Sequence, residues 1–183
     1  MDSTEQNKDE LFASAYEWFQ SMVTAWVAII LILVFGIRHI GVEGPSMMQT
    51  LHNGNSVIMS NLFFTPKYGD VVVLRKLEFS EIPIIKRVIA TEGQTVNIDY
   101  LAGTVTVDGV VLDEPYINER MQPPWYNTID FPLTVPEDHV FVMGDNRNHS
   151  NDGRDVRIGL VDRRDILGKA YLVLWPFSDF KLL

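Results

Sequence analysis

The sequence predicts a mainly β protein, an antiparallel β-sheet domain that follows a single N-terminal transmembrane helix. Residues 18–37 carry no charged side chain, and from Met22 onward they are almost all apolar. A helix of about 20 such residues is long enough to span the hydrocarbon core of a bilayer. Residues 38–183 instead show short alternating or β-branched runs separated by Pro and Gly, a pattern typical of β-strands joined by tight turns.

Residues 1–17 are predicted to form a tail in front of this anchor. The tail holds five acidic residues against Lys8, the reverse of the basic start of a cleaved secretion signal. A buried core helix is the alternative interpretation of the apolar run. Lys8 lies before the run and Arg38 after it, so the two charges roughly cancel. The positive-inside rule therefore does not predict which end of the helix faces the cytoplasm.

Eight segments after the anchor are predicted strands. Asp108-Gly109 between two alternating runs indicates a hairpin with a type I′ turn. Residues 113–138, which include Pro123-Pro124, indicate an extended excursion between two parts of the sheet. Outside the anchor, only the stretch DRRDIL suggests a short helix. The predicted strands are Ser56–Ser60, Asp70–Leu74, Ile84–Thr91, Thr95–Ile98, Thr104–Val107, Val110–Leu112, Val140–Met143 and Leu167–Leu174.

Composition excludes several classes of function. A formal net charge of −9 argues against nucleic acid as the main partner, because phosphate binding needs concentrated Lys and Arg. The chain has no cysteine, which removes thiolate catalysis, disulfides and Cys-based zinc sites. Its four histidines show no metal-binding spacing, so we expect neither a metal nor a cofactor.

A serine nucleophile with a lysine base is worth testing, because none of the histidines lies in a recognisable triad pattern. Lys86 lies in the apolar stretch PIIKRVIA, where burial would lower its pKa and let the neutral amine accept a proton. Ser46 follows Gly44-Pro45 directly after the anchor. Taken alone, such a lysine is usually an edge-strand charge and such a serine a turn residue.

A polar loop after the strand Val140–Met143 strengthens this hypothesis. A solvated loop with surface salt bridges is the alternative interpretation. Interleaved Asp and Arg can also hold a loop rigid through bidentate pairs, and such a loop could place Ser150 against the Lys86 amine. The charged residues of the loop are Asp145, Arg147, Asp152 and Arg154.

In order along the chain, the segments GPSMMQTL, GDVVVL, KRVIATEGQTV and GDNRNHSNDGR follow the apolar run. They resemble the conserved boxes of bacterial type I signal peptidases, which remove signal peptides from secreted preproteins. The resemblance covers almost the whole chain after Arg38, and the short form is similar to the Gram-positive members. It implies the β fold shared by signal peptidases and LexA-like proteases.

The resemblance implies roles for particular residues. Ser46 matches the nucleophile, Lys86 the general base, and Ser150 the serine that helps orient the lysine. Gly44 stands where some members add an oxyanion-hole serine, and Met47 matches a position near the substrate cleft and the membrane surface. The loop residues Asp145, Arg147, Asp152 and Arg154 match positions that brace the site.

The resemblance also implies partners and location. Secretory preproteins would be cleaved after small residues at sites of the Ala-x-Ala type. The protein would be a single-pass protein of the cell membrane, with the tail 1–17 in the cytoplasm, residues 18–37 in the bilayer and residues 38–183 outside. The lipid bilayer would be a partner, with the secretion translocon as a further candidate.

Three departures from the family pattern leave alternatives open. Gln49, Ala90 and Gly153 replace a proline, a glycine and a serine of the usual boxes. The chain could therefore be a catalytically impaired, membrane-bound preprotein-binding relative. A self-cleaving repressor-type Ser–Lys protease is a second alternative, although such proteins are soluble and carry a DNA-binding head.

Overall fold

The computed structural model describes residues 3–183, and the side chains of all of them except 3–11, 33 and 35. The chain divides into two compact units, Met1–Arg38 and His39–Leu183. The first contains an α-helix, α1 (Ser3–Leu31), followed by a π-helical turn (Ile32–Gly36). The uncharged run 18–37 is thus divided between two elements, and α1 also includes most of the predicted tail. Among the described residues, we find no helix with both the length and the hydropathy needed to cross a bilayer.

The second unit consists mainly of antiparallel strands. Its larger sheet has the order β1-β2-β11-β3-β4-β9-β10, with β12 paired to β11, and the smaller sheet has the order β7-β6-β5-β8. The strands are β1 (Arg38–Gly41), β2 (Ser56–Ser60), β3 (Val71–Leu74), β4 (Ile84–Thr91), β5 (Thr95–Asp99), β6 (Thr104–Val107), β7 (Val110–Val111), β8 (Leu133–Thr134), β9 (His139–Met143), β10 (Val161–Asp162), β11 (Ile166–Trp175) and β12 (Lys181–Leu182).

All eight predicted strands are present, with ends that differ by no more than one residue. The hairpin prediction is confirmed, because Asp108 and Gly109 both have positive φ between β6 and β7. The short helix suggested at DRRDIL is present only as one 3-10 turn. Asp162 ends β10, a single 3-10 turn covers Arg163–Asp165, and β11 begins at Ile166, because pairing of β11 with β3 extends the chain there.

Alternation along the strands explains how the domain packs. β5 alternates buried Val96 and Ile98 with more exposed neighbours, so one face of the small sheet covers the larger one. β3 and most of β4 are buried on both faces, which their nearly continuous apolar sequences require. The centre of the larger sheet therefore lies in the interior, and a lysine in β4 has to be buried with it.

Candidate active site

Ser46 lies in a tight turn directly after the segment that follows β1. Gly44 has φ +84°, a conformation open to glycine, and its N–H donates to Asn53 Oδ1 at 2.9 Å. The Met48 N–H donates to the Pro45 carbonyl at 3.1 Å, which closes the turn around Ser46. Met47 is buried beneath the turn, in a cluster with residues of β2 and β11. The turn is thus fixed from below while Ser46 stays partly exposed.

Lys86 is buried in β4 with only 3% of its surface exposed. Its Nζ donates to Ser46 Oγ at 2.8 Å and to the Ile85 carbonyl at 2.9 Å. Residue 86 pairs with Val72 of β3, so the lysine is centred in the sheet. The structure therefore brings together the two side chains that the sequence proposed as nucleophile and base.

Burial lowers the pKa of Lys86 from 10.5 to about 8, because the protein interior disfavours the ammonium form. The carboxylates of Asp152 and Asp145 oppose this shift, and the charge of Arg154 adds to it. A lysine with a pKa near 8 has a substantial neutral fraction at mildly alkaline pH. It can then accept a proton from the hydroxyl that it contacts.

Ser150 is buried close to Ser46, on the far side of Gly144. A Cβ added to Gly144 would lie 2.2 Å from Ser150 Oγ and 2.6 Å from the Ser46 carbonyl oxygen. The Ser150 hydroxyl donates to the Asn151 carbonyl at 3.4 Å, and the Ser150 carbonyl accepts from Tyr126 Oη at 3.0 Å. That Ser150 orients Lys86 stays a prediction.

Asp145 joins the loop to β4 and to the Ser46 turn. Arg87 donates to its carboxylate from Nε at 2.8 Å and from Nη2 at 2.6 Å. The Thr50 hydroxyl also donates to Asp145. The residue after it, Asn146, donates from its backbone to the Ser46 carbonyl at 3.0 Å and from Nδ2 to the Pro45 carbonyl at 3.1 Å.

The loop is held partly from within and partly from outside. Arg154 pairs with Asp152 through two hydrogen bonds of 2.8 and 2.9 Å, and both side chains are fully buried. Burial by itself would raise the pKa of Asp152, but the Arg154 guanidinium and the Gly144 N–H outweigh it and lower that pKa. Arg147 instead pairs with Glu114, which lies in the 113–138 excursion.

The expectation that the two Asp and two Arg pair with one another is therefore correct for one pair only. Asp145 pairs with Arg87 of β4, and Arg147 pairs with Glu114. The sheet and the excursion bring these partners next to the loop, and their sequence separations are 58 and 33 residues. Local spacing carried no signal for either pairing.

A cleft of about 320 Å³ opens beside Ser46 and Lys86. The cleft is lined by residues 40–44, which include the end of β1, by residues 82–86, which include the start of β4, and by Ser46 and Met47. Strand ends in a cleft can recognise a peptide through its main chain. Among the described residues, no cluster of three or more His, Asp or Glu side chains is arranged to hold a metal ion.

Gln49, Ala90 and Gly153, which depart from the family pattern, lie in different surroundings. Ala90 is fully buried among apolar residues of both sheets, so its methyl has space. A Cβ at Gly153 would meet the Val142 carbonyl at 2.7 Å, so a side chain here would require this loop or β9 to shift. Gln49 donates to Asn118 Oδ1 at 3.0 Å on the surface. The hydrogen bond of Gln49, the apolar cluster around Ala90 and the nearest neighbours of Gly153 include neither Ser46 nor Lys86.

Sequence reasoning missed Arg87, Thr50, Glu114, Asn146 and Tyr126 at this site. Arg87 follows Lys86 directly in β4, so alternation puts its side chain on the other face of the strand, but its partner could not be inferred from the sequence. Asn146 stands inside the loop that was singled out, so its position was a usable signal. Tyr126 and Glu114 lie in the excursion, whose path over the loop depends on the tertiary fold.

Comparisons with known proteins show the family of this chain. The family described as "Signal peptidase, peptidase S26" matches residues 15–175. Signal peptidase I of Bacillus licheniformis is 32% identical, covering 97% of this chain and 98% of its own length. Signal peptidase I S of Bacillus subtilis is 34% identical, covering 92% and 93%. A crystal structure of a signal peptidase I from Enterococcus faecalis aligns with a TM-score of 0.46 and 29% identity, over 58% of this chain and 97% of the other. The chain belongs to the signal peptidase family, peptidase S26.

Proposed function

We propose that the protein is a membrane-anchored serine endopeptidase that removes signal peptides from secretory preproteins with a Ser46–Lys86 dyad. The observation that carries this proposal is the 2.8 Å contact between Lys86 Nζ and Ser46 Oγ in a buried setting. The relatives named signal peptidase I support the substrate class. The paired side chains support the reaction class.

The reaction begins when the neutral Lys86 amine takes the Ser46 proton. Ser46 Oγ then attacks the scissile carbonyl carbon, and the carbonyl oxygen becomes an oxyanion near the Ser46 backbone N–H. The Lys86 ammonium returns its proton to the leaving amine, and the peptide bond breaks to leave an acyl-enzyme. A water molecule, deprotonated by Lys86, hydrolyses the ester and restores Ser46.

The preprotein would lie in the cleft as an extended strand. The ends of β1 and β4 line this cleft, and recognition there would use main-chain hydrogen bonds, which do not depend on side-chain identity. Cleavage after small residues, at an Ala-x-Ala type of site, is the specificity that this proposal includes.

Membrane anchoring through residues 18–37 is part of the proposal. The run has no charge, and α1 leaves large apolar side chains exposed, among them Trp18, Trp26 and Ile30. An exposed apolar surface of this extent favours contact with lipid or another apolar partner. The N-terminus would lie in the cytoplasm and residues 38–183 outside. The secretion translocon would supply the substrate.

We expect the Ser46→Ala variant to bind a preprotein but to cleave it at least about 1,000-fold more slowly, because the nucleophile is removed. Detergent-solubilised full-length protein and a preprotein with an Ala-x-Ala site suffice for the assay. Ser178→Ala removes another turn hydroxyl, which bonds Asp179, and serves as the matched control with unchanged activity. A wild-type protein that binds the preprotein and leaves it intact would instead indicate the binding relative. Self-cleavage without cleavage of the preprotein would indicate the repressor-type protease.

We expect the full chain to float with liposomes in a density gradient and to stay with them in alkaline carbonate, because the apolar run enters the bilayer. Exchange of Ile29 and Ile30 for aspartates, within the same run, should release the protein, since each charge is costly in hydrocarbon. Matched aspartates at Thr4 and Gln6, outside the run, should not. Wild-type protein that remains at the bottom of the gradient would contradict the anchor.

A further inference from the structure

The segment Glu114-Pro115-Tyr116 follows the β6–β7 hairpin and contacts the polar loop after β9, which contains Asp145, Arg147 and Ser150. The Glu114 carboxylate is almost completely buried and accepts from Arg147 Nη1 at 2.9 Å and Nη2 at 2.5 Å. It also accepts from Tyr116 Oη at 2.9 Å. Three donors thus converge on one carboxylate in a segment that is otherwise largely exposed.

Arg147 transmits this contact to the loop backbone. Its Nε donates to the Gly144 carbonyl at 3.1 Å, and its own carbonyl accepts from Arg154 Nη2 at 2.6 Å. Arg147 is 2% exposed, so its charge depends on Glu114 as partner. Removal of that partner would leave a buried guanidinium uncompensated, which is strongly unfavourable.

Tyr116 contacts a second arginine of the site. The guanidinium carbon of Arg87 lies 4.1 Å from the centroid of the Tyr116 ring, a cation–π geometry. Arg87 is the residue that holds Asp145 with two hydrogen bonds and contacts Thr50 Oγ1 at 3.2 Å. Glu114 therefore contacts Arg147, which follows Asn146, and Tyr116 contacts Arg87, the partner of Asp145, which precedes Asn146.

Asn146 is the link to the nucleophile, since its backbone N–H and its side-chain amide hold the Ser46 and Pro45 carbonyls. We propose that Glu114 and Tyr116 are positioning residues, which fix Asn146 and thereby the Ser46 turn through Arg147 and Arg87. The effect of Glu114 and Tyr116 on the cleavage rate rests on the proposed peptidase function. Their effect on the geometry of Asn146 does not depend on that function.

A purely stabilising role is the alternative. Buried ion pairs often contribute little net stability compared with apolar replacements of similar size. If Glu114 acted only on stability, replacing both members of the pair would restore stability and rate together. If it positions Asn146, stability would return and the rate would not. The two roles therefore differ in a measurable way.

We expect Glu114→Gln to lower kcat on a preprotein at least tenfold with KM within twofold, and to speed amide hydrogen exchange at Asn146 at least tenfold. The double variant Glu114→Gln/Arg147→Met should regain thermal stability, because no buried charge is left unpaired, yet keep the low kcat. Tyr116→Leu should lower kcat in the same way, whereas Tyr116→Phe, which keeps the ring over Arg87, should stay within threefold of wild type. Val105→Ala, a core change in the small sheet, is the control for lost stability.

Stability and kcat that recover together in the double variant would overturn the positioning role. So would Glu114→Gln protein with wild-type kcat and wild-type exchange at Asn146. If the wild-type chain fails to cleave a preprotein while Asn146 exchange still responds to Glu114→Gln, the peptidase function fails and the positioning inference stands. If the wild-type chain cleaves a preprotein but Glu114→Gln leaves the exchange rate at Asn146 unchanged, the peptidase function stands and the positioning inference fails.

Discussion

Replacing Lys86 with methionine should abolish cleavage of a preprotein and at the same time raise the free energy of unfolding at pH 7 by about 1 kcal/mol. Folding lowers the pKa of this lysine from 10.5 to about 8, so burial of its ammonium costs about 3 kcal/mol at neutral pH. Hydrogen bonds from Nζ to Ser46 and Ile85 return about 1 kcal/mol each, which the methionine loses. The desolvation cost is the larger effect, so the variant gains stability.

The stability difference should depend on pH in a defined way. Below pH 8 the lysine is protonated in both the folded and the unfolded chain, and the full cost applies. Between pH 8 and about 10.5 the folded protein holds a neutral amine while the unfolded chain still binds a proton, so wild-type stability rises toward that of the variant. Denaturant unfolding at pH 7 and pH 10 measures the difference.

Lys67→Met is the matched control, because it makes the same replacement at an exposed lysine. It should change the unfolding free energy by less than about 0.5 kcal/mol and leave cleavage intact. A Lys86→Met protein that is less stable than wild type at pH 7 would show that burial of this lysine is not costly. Lys86→Arg should be inactive, because the guanidinium stays protonated. Full activity of that variant would contradict the general-base role.

The same pKa should set the pH dependence of wild-type cleavage. Only about one tenth of Lys86 is neutral at pH 7 if its pKa is about 8, so the rate should climb through this region and level off above it. A profile that is flat from mildly acidic to alkaline pH, in protein that stays folded, would exclude proton transfer to Lys86.

Replacing Gly144 with alanine should lower cleavage by about 100-fold or more and destabilise the protein by about 1–3 kcal/mol, as overpacking does. The added methyl would lie 2.2 Å from Ser150 Oγ and 2.6 Å from the Ser46 carbonyl oxygen. Distances this short require Ser46 or Ser150 to move, and the Ser46 carbonyl is backbone that cannot rotate away. Preprotein cleavage and thermal unfolding of the variant measure both effects.

Gly168→Ala is the control for a crowded glycine away from the site. Its methyl would meet the Ser60 carbonyl at 2.7 Å between β2 and β11, so it should destabilise the fold without a comparable loss of kcat. Comparing the two variants separates the effect of displacing Ser46 from the general effect of overpacking. A Gly144→Ala protein as active as wild type would show that the contacts among Ser46, Gly144 and Ser150 are not needed for catalysis.

Strand positions followed from the sequence because alternation and β-branched residues act locally. Lys86 could be recognised as a buried lysine for the same reason, since its neighbours Ile84, Ile85 and Val88 force it into the sheet. The two-residue strands β8, β10 and β12 could not be predicted in this way. They exist because neighbouring strands offer hydrogen bonds.

By itself, the sequence determined the β fold, the order of the four motif segments, and the two residues that meet as a candidate dyad. Only the tertiary structure decided what holds that dyad in place. Ser46 and Lys86 are 40 residues apart in sequence, and Asp145 pairs with Arg87, which is 58 residues away. Hydrophobic periodicity reports each strand's own environment, whereas a charge or hydrogen-bond partner depends on which strands become neighbours. The contacts of Glu114 with Arg147 and of Asn146 with Ser46 therefore became visible only in the folded chain.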